Sequence, residues 1–91
     1  MMSINDKIKK LEYQIMDELS GAREYKQCAM NWKDADPEIS KIYMDMSKQE
    51  LGHGKDLMEI MSVVTKTQPQ MSSIYEFLKE VNEEQIEEIE K

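Results

Sequence analysis

Apolar residues recur along the first third of the chain at steps that alternate between four and three positions. This spacing places them on one face of an α-helix and is typical of the seam of a helical bundle. It predicts a helix over roughly residues 4–33, about 40–45 Å long at 1.5 Å per residue. Every member of the stripe is apolar or aromatic except Glu18, and the members are Ile4, Ile8, Leu11, Ile15, Glu18, Ala22, Tyr25, Ala29 and Trp32.

A second stripe of the same kind follows a break in the pattern. Asp36 suits the N-cap of a new helix and Pro37 its first turn, so a helix is predicted over roughly residues 37–64. The polar members of its stripe are Glu50 and His53, which lie one turn apart on the same face. The full stripe is Ile39, Ile42, Met46, Glu50, His53, Leu57, Ile60 and Val64.

The remaining residues predict a third, amphipathic helix after a polar segment that contains Pro69. We expect it over roughly residues 72–89, starting near Ser73, which has capping-box spacing to Glu76. Its stripe consists of Ile74, Phe77 or Leu78, Val81, Gln85 and Ile89. The predicted fold is therefore all-α: an antiparallel helical hairpin (residues 1–64), a linker (65–71) and a C-terminal helix (72–91).

Composition narrows the class of protein. The chain has 91 residues, 40% apolar and 34% charged, which suits one small helical domain. A net charge of −7 argues against binding to nucleic acid or to anionic membranes and is compatible with a protein that attracts cations. A single cysteine, Cys28, excludes a disulfide framework within the chain. No apolar run approaches the ~20 residues of a membrane span, and the first residues lack the apolar core of a signal peptide, so we expect a cytoplasmic location.

Three polar residues in the apolar stripes carry the candidate chemistry. Glu18 lies about 16 residues before the predicted turn and Glu50 about 16 after it, so the two carboxylates face each other in an antiparallel hairpin, with His53 nearby. A carboxylate in an apolar seam must be neutralised, paired or bound to a cation. The pattern therefore predicts a metal site with Glu18, Glu50 and His53 as ligands.

One hairpin supplies too few donors for a stable pair of metal ions. A twofold copy doubles the set to four Glu and two His, the inventory that di-iron carboxylate bundles use. Carboxylate and imidazole ligands together favour iron, with manganese or zinc as alternatives. We therefore expect a homodimer that forms a four-helix bundle and shares its metal ions between the two chains.

The segments around these residues resemble the ferritin-like superfamily, in particular the rubrerythrin branch and the half-length encapsulated ferritins. They read Glu-Leu-Ser-Gly-Ala-Arg-Glu-Tyr from Glu18 to Tyr25, and Glu-Leu-Gly-His from Glu50 to His53. Together with Ala29 they match the spacing found in rubrerythrins, in a resemblance that covers about residues 10–62. These 91 residues contain no rubredoxin-like Cys₄ module.

The resemblance implies a di-iron site that oxidises Fe(II) with oxygen or peroxide, a ferroxidase activity. It also implies that Tyr25 hydrogen-bonds a ligand carboxylate and that Asp17 lies near the path by which metal enters. Encapsulated ferritins form their site across a dimer interface and assemble further, so the resemblance implies a larger homo-oligomer and an encapsulin-type shell as a partner.

Interpretations without a catalytic metal site also stay open at this point. Because 13 of the 91 residues are Glu, a Glu three places before the only His arises by chance about one time in seven. His53 could be a core histidine, and Gly52 or Gly54 could end the second helix early. The alternatives for function are a non-catalytic helical oligomer or partner-binding module, and a structural manganese or zinc site without redox turnover.

Overall fold

The computed structural model describes residues 2–90, which form three α-helices and no strand. Helix α1 spans Ile4–Trp32 and helix α2 spans Pro37–Thr67. A single 3₁₀ turn, Pro69–Met71, then leads into helix α3, Ser72–Glu90. The prediction of an all-α fold with three helices is confirmed.

Local capping explains where the first two helices begin. The Ser3 hydroxyl accepts a hydrogen bond from the backbone N–H of Asp6, whose carboxylate in turn accepts from the Ser3 N–H. At α2, the Asp36 carboxylate accepts from the N–H groups of Glu38 and Ile39 at 3.1 and 3.4 Å. These bonds satisfy donors that the first turn of a helix leaves unpaired, so the predicted cap at Asp36 is confirmed.

The connection to α3 differs from the sequence prediction. Helix α2 continues three residues beyond the predicted end at residue 64, and neither Gly52 nor Gly54 interrupts it. The 3₁₀ turn runs directly into α3, which places Ser73 inside the helix instead of at its cap. The reason is local: Pro69 is compatible with the first position of a 3₁₀ turn, and its carbonyl accepts a hydrogen bond from the Ser72 hydroxyl at 2.7 Å.

Two serines of α2 show that α1 and α2 run antiparallel. The Ser40 hydroxyl donates to the Ala29 carbonyl, and the Ser47 hydroxyl donates to the Ala22 carbonyl, each at 2.6 Å. The second bond lies earlier in α1 and later in α2 than the first, by the same number of residues in each helix, so the two helices are antiparallel. Small residues at both positions let the two backbones approach closely.

The buried face of α1 largely matches its predicted stripe, with Leu19 as an addition and with Ile4 and Trp32 exposed at its ends. The buried face of α2 does not match. It is rotated by about one position from the predicted stripe, and Ile42 and Ile60 are 56% and 51% exposed. The residues that α2 buries are Ser47, Leu51, Gly54, Met58 and Met61.

Helix α3 accounts for this rotation. It packs against the hairpin through Leu78, Asn82, Gln85 and Ile89, all buried, while Phe77 is 60% exposed. Leu78 is therefore the residue of α3 that occupies the core, which decides between the two predicted choices. Because α3 covers one side of the hairpin, the opposite side of α2, with its apolar residues, faces outward. Among residues 2–90 no helix is both long and apolar enough to cross a membrane.

Candidate metal centre

Glu18, Glu50 and His53 converge near the middle of the hairpin. Each offers one ligand atom, and the three atoms lie within 4.8 Å of one another. Glu18 comes from the central part of α1, and the other two come from successive turns of α2. The antiparallel register of the hairpin therefore brings together the three residues that the sequence analysis singled out.

The histidine stands at the outer edge of this cluster. Its Nδ1 atom lies 3.4 Å from Glu18 Oε2, and the two side chains are 60% and 25% exposed, respectively. The prediction that His53 could be a core histidine is therefore wrong for this chain, because its ring faces outward. An exposed imidazole beside a half-buried carboxylate is accessible to a cation or to a partner surface.

One oxygen of the cluster is buried and incompletely satisfied. Glu18 Oε2 is shielded from solvent and has no hydrogen-bond partner within residues 2–90. A carboxylate oxygen without a partner in a shielded position is unfavourable unless a cation or proton compensates it. The donor set fits iron, since carboxylate oxygens and an imidazole nitrogen are the ligands that di-iron bundles use.

The two carboxyl groups are close enough to influence each other's ionisation. The hydrogen bond with Glu18 raises the pKa of Glu50 above its usual value of 4.5. Partial burial and the charge of Glu18 act in the same direction, while His53 opposes them. Ionisation of both neighbouring carboxyls is unfavourable, and a bound cation would stabilise the doubly ionised form.

The cluster opens to solvent through a cleft of about 400 Å³. The cleft is lined by Gln14, Asp17, Glu18, His53, Asp56 and Leu57. Asp17 thus lies in the same cleft as two of the proposed ligands, and its role in metal entrance stays a prediction. The sequence analysis missed Asp56, although it follows His53 by three positions and so shares a helix face with it.

Tyr25 lies two helical turns beyond Glu18. Its ring packs against Tyr43 of α2, with the ring centroids 6.4 Å apart and the planes at 29°. No hydrogen bond connects Tyr25 to Glu18 or Glu50 in the described part of the chain, so its predicted role beside a ligand carboxylate stays a prediction. Tyr43 precedes Glu50 by seven positions, and this heptad spacing is the signal that could have identified it.

A comparison with protein-family models matches residues 9–91 to the rubrerythrin family. The chain belongs to the rubrerythrin family. The resemblance noted from its sequence is thereby confirmed, and its all-α fold is a ferritin-like fold. No curated protein and no solved structure matched the chain in parallel comparisons.

Membership of the rubrerythrin family changes how the carboxylate–histidine cluster is interpreted. The family match spans both helices that carry the cluster, and the cluster has the ligand types of a di-iron site. A chance Glu-x-x-His pair explains neither the family match nor the convergence of Glu18 on the same point. The protein is therefore a di-iron ferritin-like protein of the rubrerythrin family.

Proposed function

We propose that this protein oxidises and handles Fe(II) at a di-iron ferroxidase site formed across a homodimer interface. The observation that carries the proposal is the convergence of Glu18, Glu50 and His53 within 4.8 Å. The shielded Glu18 oxygen and the raised pKa of Glu50 support it, because both disfavour the cluster without a cation. Bound iron supplies the redox chemistry, in which electrons pass from Fe(II) to oxygen or peroxide.

The protein side chains have separate parts in this proposal. Glu18 and Glu50 would hold the metal ions through their carboxylate oxygens. His53 would supply a nitrogen ligand. The pocket formed by α1 and α2 fixes the separation of these donors and leaves room in the adjoining cleft for a small oxidant.

The second half of the site comes from another copy of the chain. One chain contributes three ligands, and twofold pairing gives the four Glu and two His of a di-iron bundle. The face that carries His53 also carries the outward-facing apolar residues of α2, including Ile42 and Ile60, which are 56% and 51% exposed. A second hairpin placed on this face would bury these side chains and complete the ligand set together.

The activity can be tested by aerobic titration with Fe(II) while following ferric–oxo absorbance in the near ultraviolet. We expect the wild type to develop this absorbance and Glu18→Ala and His53→Ala to lose it, with helical circular dichroism retained in all three. Glu24→Ala, at an exposed position of α1, is the matched control and should behave as wild type. Normal iron oxidation by both ligand variants would show that the site is assigned to the wrong residues.

The same titration separates the alternatives. A structural manganese or zinc site binds metal at one ion per chain without developing ferric–oxo absorbance. A non-catalytic helical module neither binds Fe(II) at that stoichiometry nor changes its melting temperature when the metal is added. The larger assembly, the encapsulin-type shell and the cytoplasmic location implied earlier stay predictions.

A further inference from the structure

Gly21 stands beside the metal centre, one turn after Glu18 in α1. It is half-buried, and no glycine in the described chain has a positive φ angle, so the backbone at Gly21 is ordinary helix that any residue could adopt. Alanine would favour this helix and raise the melting temperature of a chain this size by about 4–8 °C. The helix itself gives no reason for a glycine here.

The neighbouring side chain supplies a reason. A Cβ atom placed on Gly21 would lie 3.2 Å from Glu50 Oε2, 3.6 Å from Glu50 Cδ and 3.7 Å from Glu50 Cγ. The first distance is shorter than an ordinary van der Waals contact. All three nearest atoms belong to the outer end of one proposed ligand, so the carboxylate of Glu50 occupies the space that a side chain at position 21 would need.

The other two glycines do not share this property. Around Gly52 there is no heavy atom within 4 Å of an added Cβ. At Gly54 the nearest atom is Asn82 Oδ1 at 3.4 Å, an ordinary contact with α3. Of the three glycines, Gly21 is therefore the one that adjoins a ligand carboxylate, and Gly52, two positions from Glu50, is a matched control for the gain in helix stability.

We propose that Gly21 is a positioning residue of the metal centre: with no side chain at position 21, the Glu50 carboxylate lies against α1 within reach of Glu18. The proposal rests on the proposed function in that Glu50 is a metal ligand. A methyl group at position 21 displaces Oε2 by a few tenths of an ångström. Metal–ligand distances in real sites stay within about 0.2 Å of their usual values, so the displaced carboxylate must move back against the methyl group to bind, and this weakens binding of a divalent cation.

The first test measures metal affinity without turnover. Co(II) is titrated into the full-length chain and followed by its visible absorption, for wild type, Gly21→Ala and Gly52→Ala. We expect Gly21→Ala to weaken Co(II) binding by about tenfold or more, as removal of ligand-supporting groups does. Gly52→Ala should stay within about twofold of wild type, because an added Cβ there meets no heavy atom within 4 Å. Equal affinities for the two variants would overturn the inference.

The second test needs no metal and therefore separates this inference from the proposed function. The melting temperatures of the metal-free variants are compared at one protein concentration, with and without Glu50→Ala. Gly52→Ala should raise the melting temperature by about 4–8 °C in both backgrounds. Gly21→Ala should raise the melting temperature less in the background that keeps Glu50 than in the Glu50→Ala background. Only where Glu50 is present does the new methyl group meet a carboxylate.

The outcomes are distinguishable. Equal gains from Gly21→Ala in both backgrounds would show that position 21 does not contact Glu50, and the inference would be wrong even if the protein binds metal. A wild type that fails to bind Co(II) or Fe(II) would remove the proposed function. Even then, a rise in melting temperature from Gly21→Ala that depends on the presence of Glu50 would establish that Gly21 sets the position of the Glu50 carboxylate.

Discussion

Glu18 and Glu50 have ligand oxygens within 4.8 Å of each other, and the closeness of two carboxylates is unfavourable for the metal-free protein. The hydrogen bond with Glu18 raises the pKa of Glu50, and burial adds to the effect. A carboxyl whose folded-state pKa is raised binds its proton more tightly in the folded state than in the unfolded state. The folded metal-free protein is therefore stabilised by this group as the pH falls through the raised pKa towards 4.5.

Replacement of the Glu50 carboxylate by a neutral amide should stabilise the metal-free protein. We expect Glu50→Gln to raise the melting temperature of the metal-free protein at about pH 8 by about 2–5 °C, since it removes one of two neighbouring charges. The advantage should shrink as the pH falls through the raised pKa of Glu50, because the wild-type carboxyl then becomes protonated. Thermal unfolding in the presence of a chelator measures both.

The Glu50→Gln variant should no longer be stabilised by added metal. Saturating Fe(II) under argon should raise the melting temperature of the wild type but not that of Glu50→Gln, because a neutral amide is a poor substitute for a metal-binding carboxylate. Glu59→Gln, at an exposed position of α2, serves as the control and should respond as the wild type does. A metal-free Glu50→Gln less stable than wild type at about pH 8 would contradict the interpretation that the two neighbouring carboxylates destabilise the metal-free protein.

At the scale of elements, the pairing of α1 with α2 depends on polar bonds as well as on apolar packing. Ser47 is fully buried, and its hydroxyl crosses to the Ala22 carbonyl of the facing helix at 2.6 Å. This bond lies close to Gly21 in the chain and on the same side of α1. It therefore helps to keep the two helices at the separation that the ligand cluster needs.

Removal of that hydroxyl should loosen the hairpin measurably. We expect Ser47→Ala to lower the free energy of unfolding by about 1 kcal/mol, the usual contribution of one buried hydrogen bond. Ser62→Ala is the matched control, because the Ser62 hydroxyl bonds only within its own helix, to the Glu59 carbonyl at 2.8 Å. Urea unfolding of both variants gives the comparison, and equal stabilities would mean that the Ser47 bond does not link the helices in solution.

Helix α3 contributes polar contacts to the opposite side of the hairpin. Gln85 contacts the guanidinium group of Arg23, and Lys26 donates a hydrogen bond to the Glu88 carbonyl. Asn82 is buried behind the ligand cluster, next to Gly54. These contacts hold α3 on the other side of the hairpin, and the His53 side chain stays 60% exposed.

At the scale of the whole molecule, the face of the hairpin that carries His53 combines two features: three candidate metal ligands and exposed apolar side chains. In the proposed dimer, a second copy would complete the ligand set and cover the apolar side chains. The net charge of −7 per chain opposes close pairing, and cations bound at the proposed shared site would offset part of that repulsion. Dimer formation and metal binding are therefore expected to strengthen each other.

A charge placed on this face should separate the two copies. In the proposed dimer, Ile42→Glu would bury an unpaired charge, so we expect this variant to be a monomer and to lose iron oxidation. Phe77→Glu is the matched control, since Phe77 is 60% exposed on α3, compared with 56% for Ile42. Sedimentation velocity with and without metal measures the mass, and an Ile42→Glu variant that remains dimeric would contradict the proposed interface.

Much of the hairpin could be predicted because its determinants are local. Helical spacing and the cap at Asp36 depend on residues within one or two turns, and they place α1 and α2 to within a few positions. The opposition of Glu18 and Glu50 followed from counting residues on either side of one tight turn. The extension of α2 to Thr67 was missed, since ordinary polar residues before Pro69 are compatible with either helix or linker.

The amino-acid sequence by itself determined the three helices, the level at which Glu18, Glu50 and His53 meet, and the rubrerythrin character of the chain. These features depend on periodicity and spacing along the chain. Only the tertiary structure decided which face of α2 is buried and that Gly21 adjoins Glu50. Helix α2 carries apolar residues on two neighbouring faces, so its rotation depends on where α3 packs, and contact between distant residues depends on that rotation.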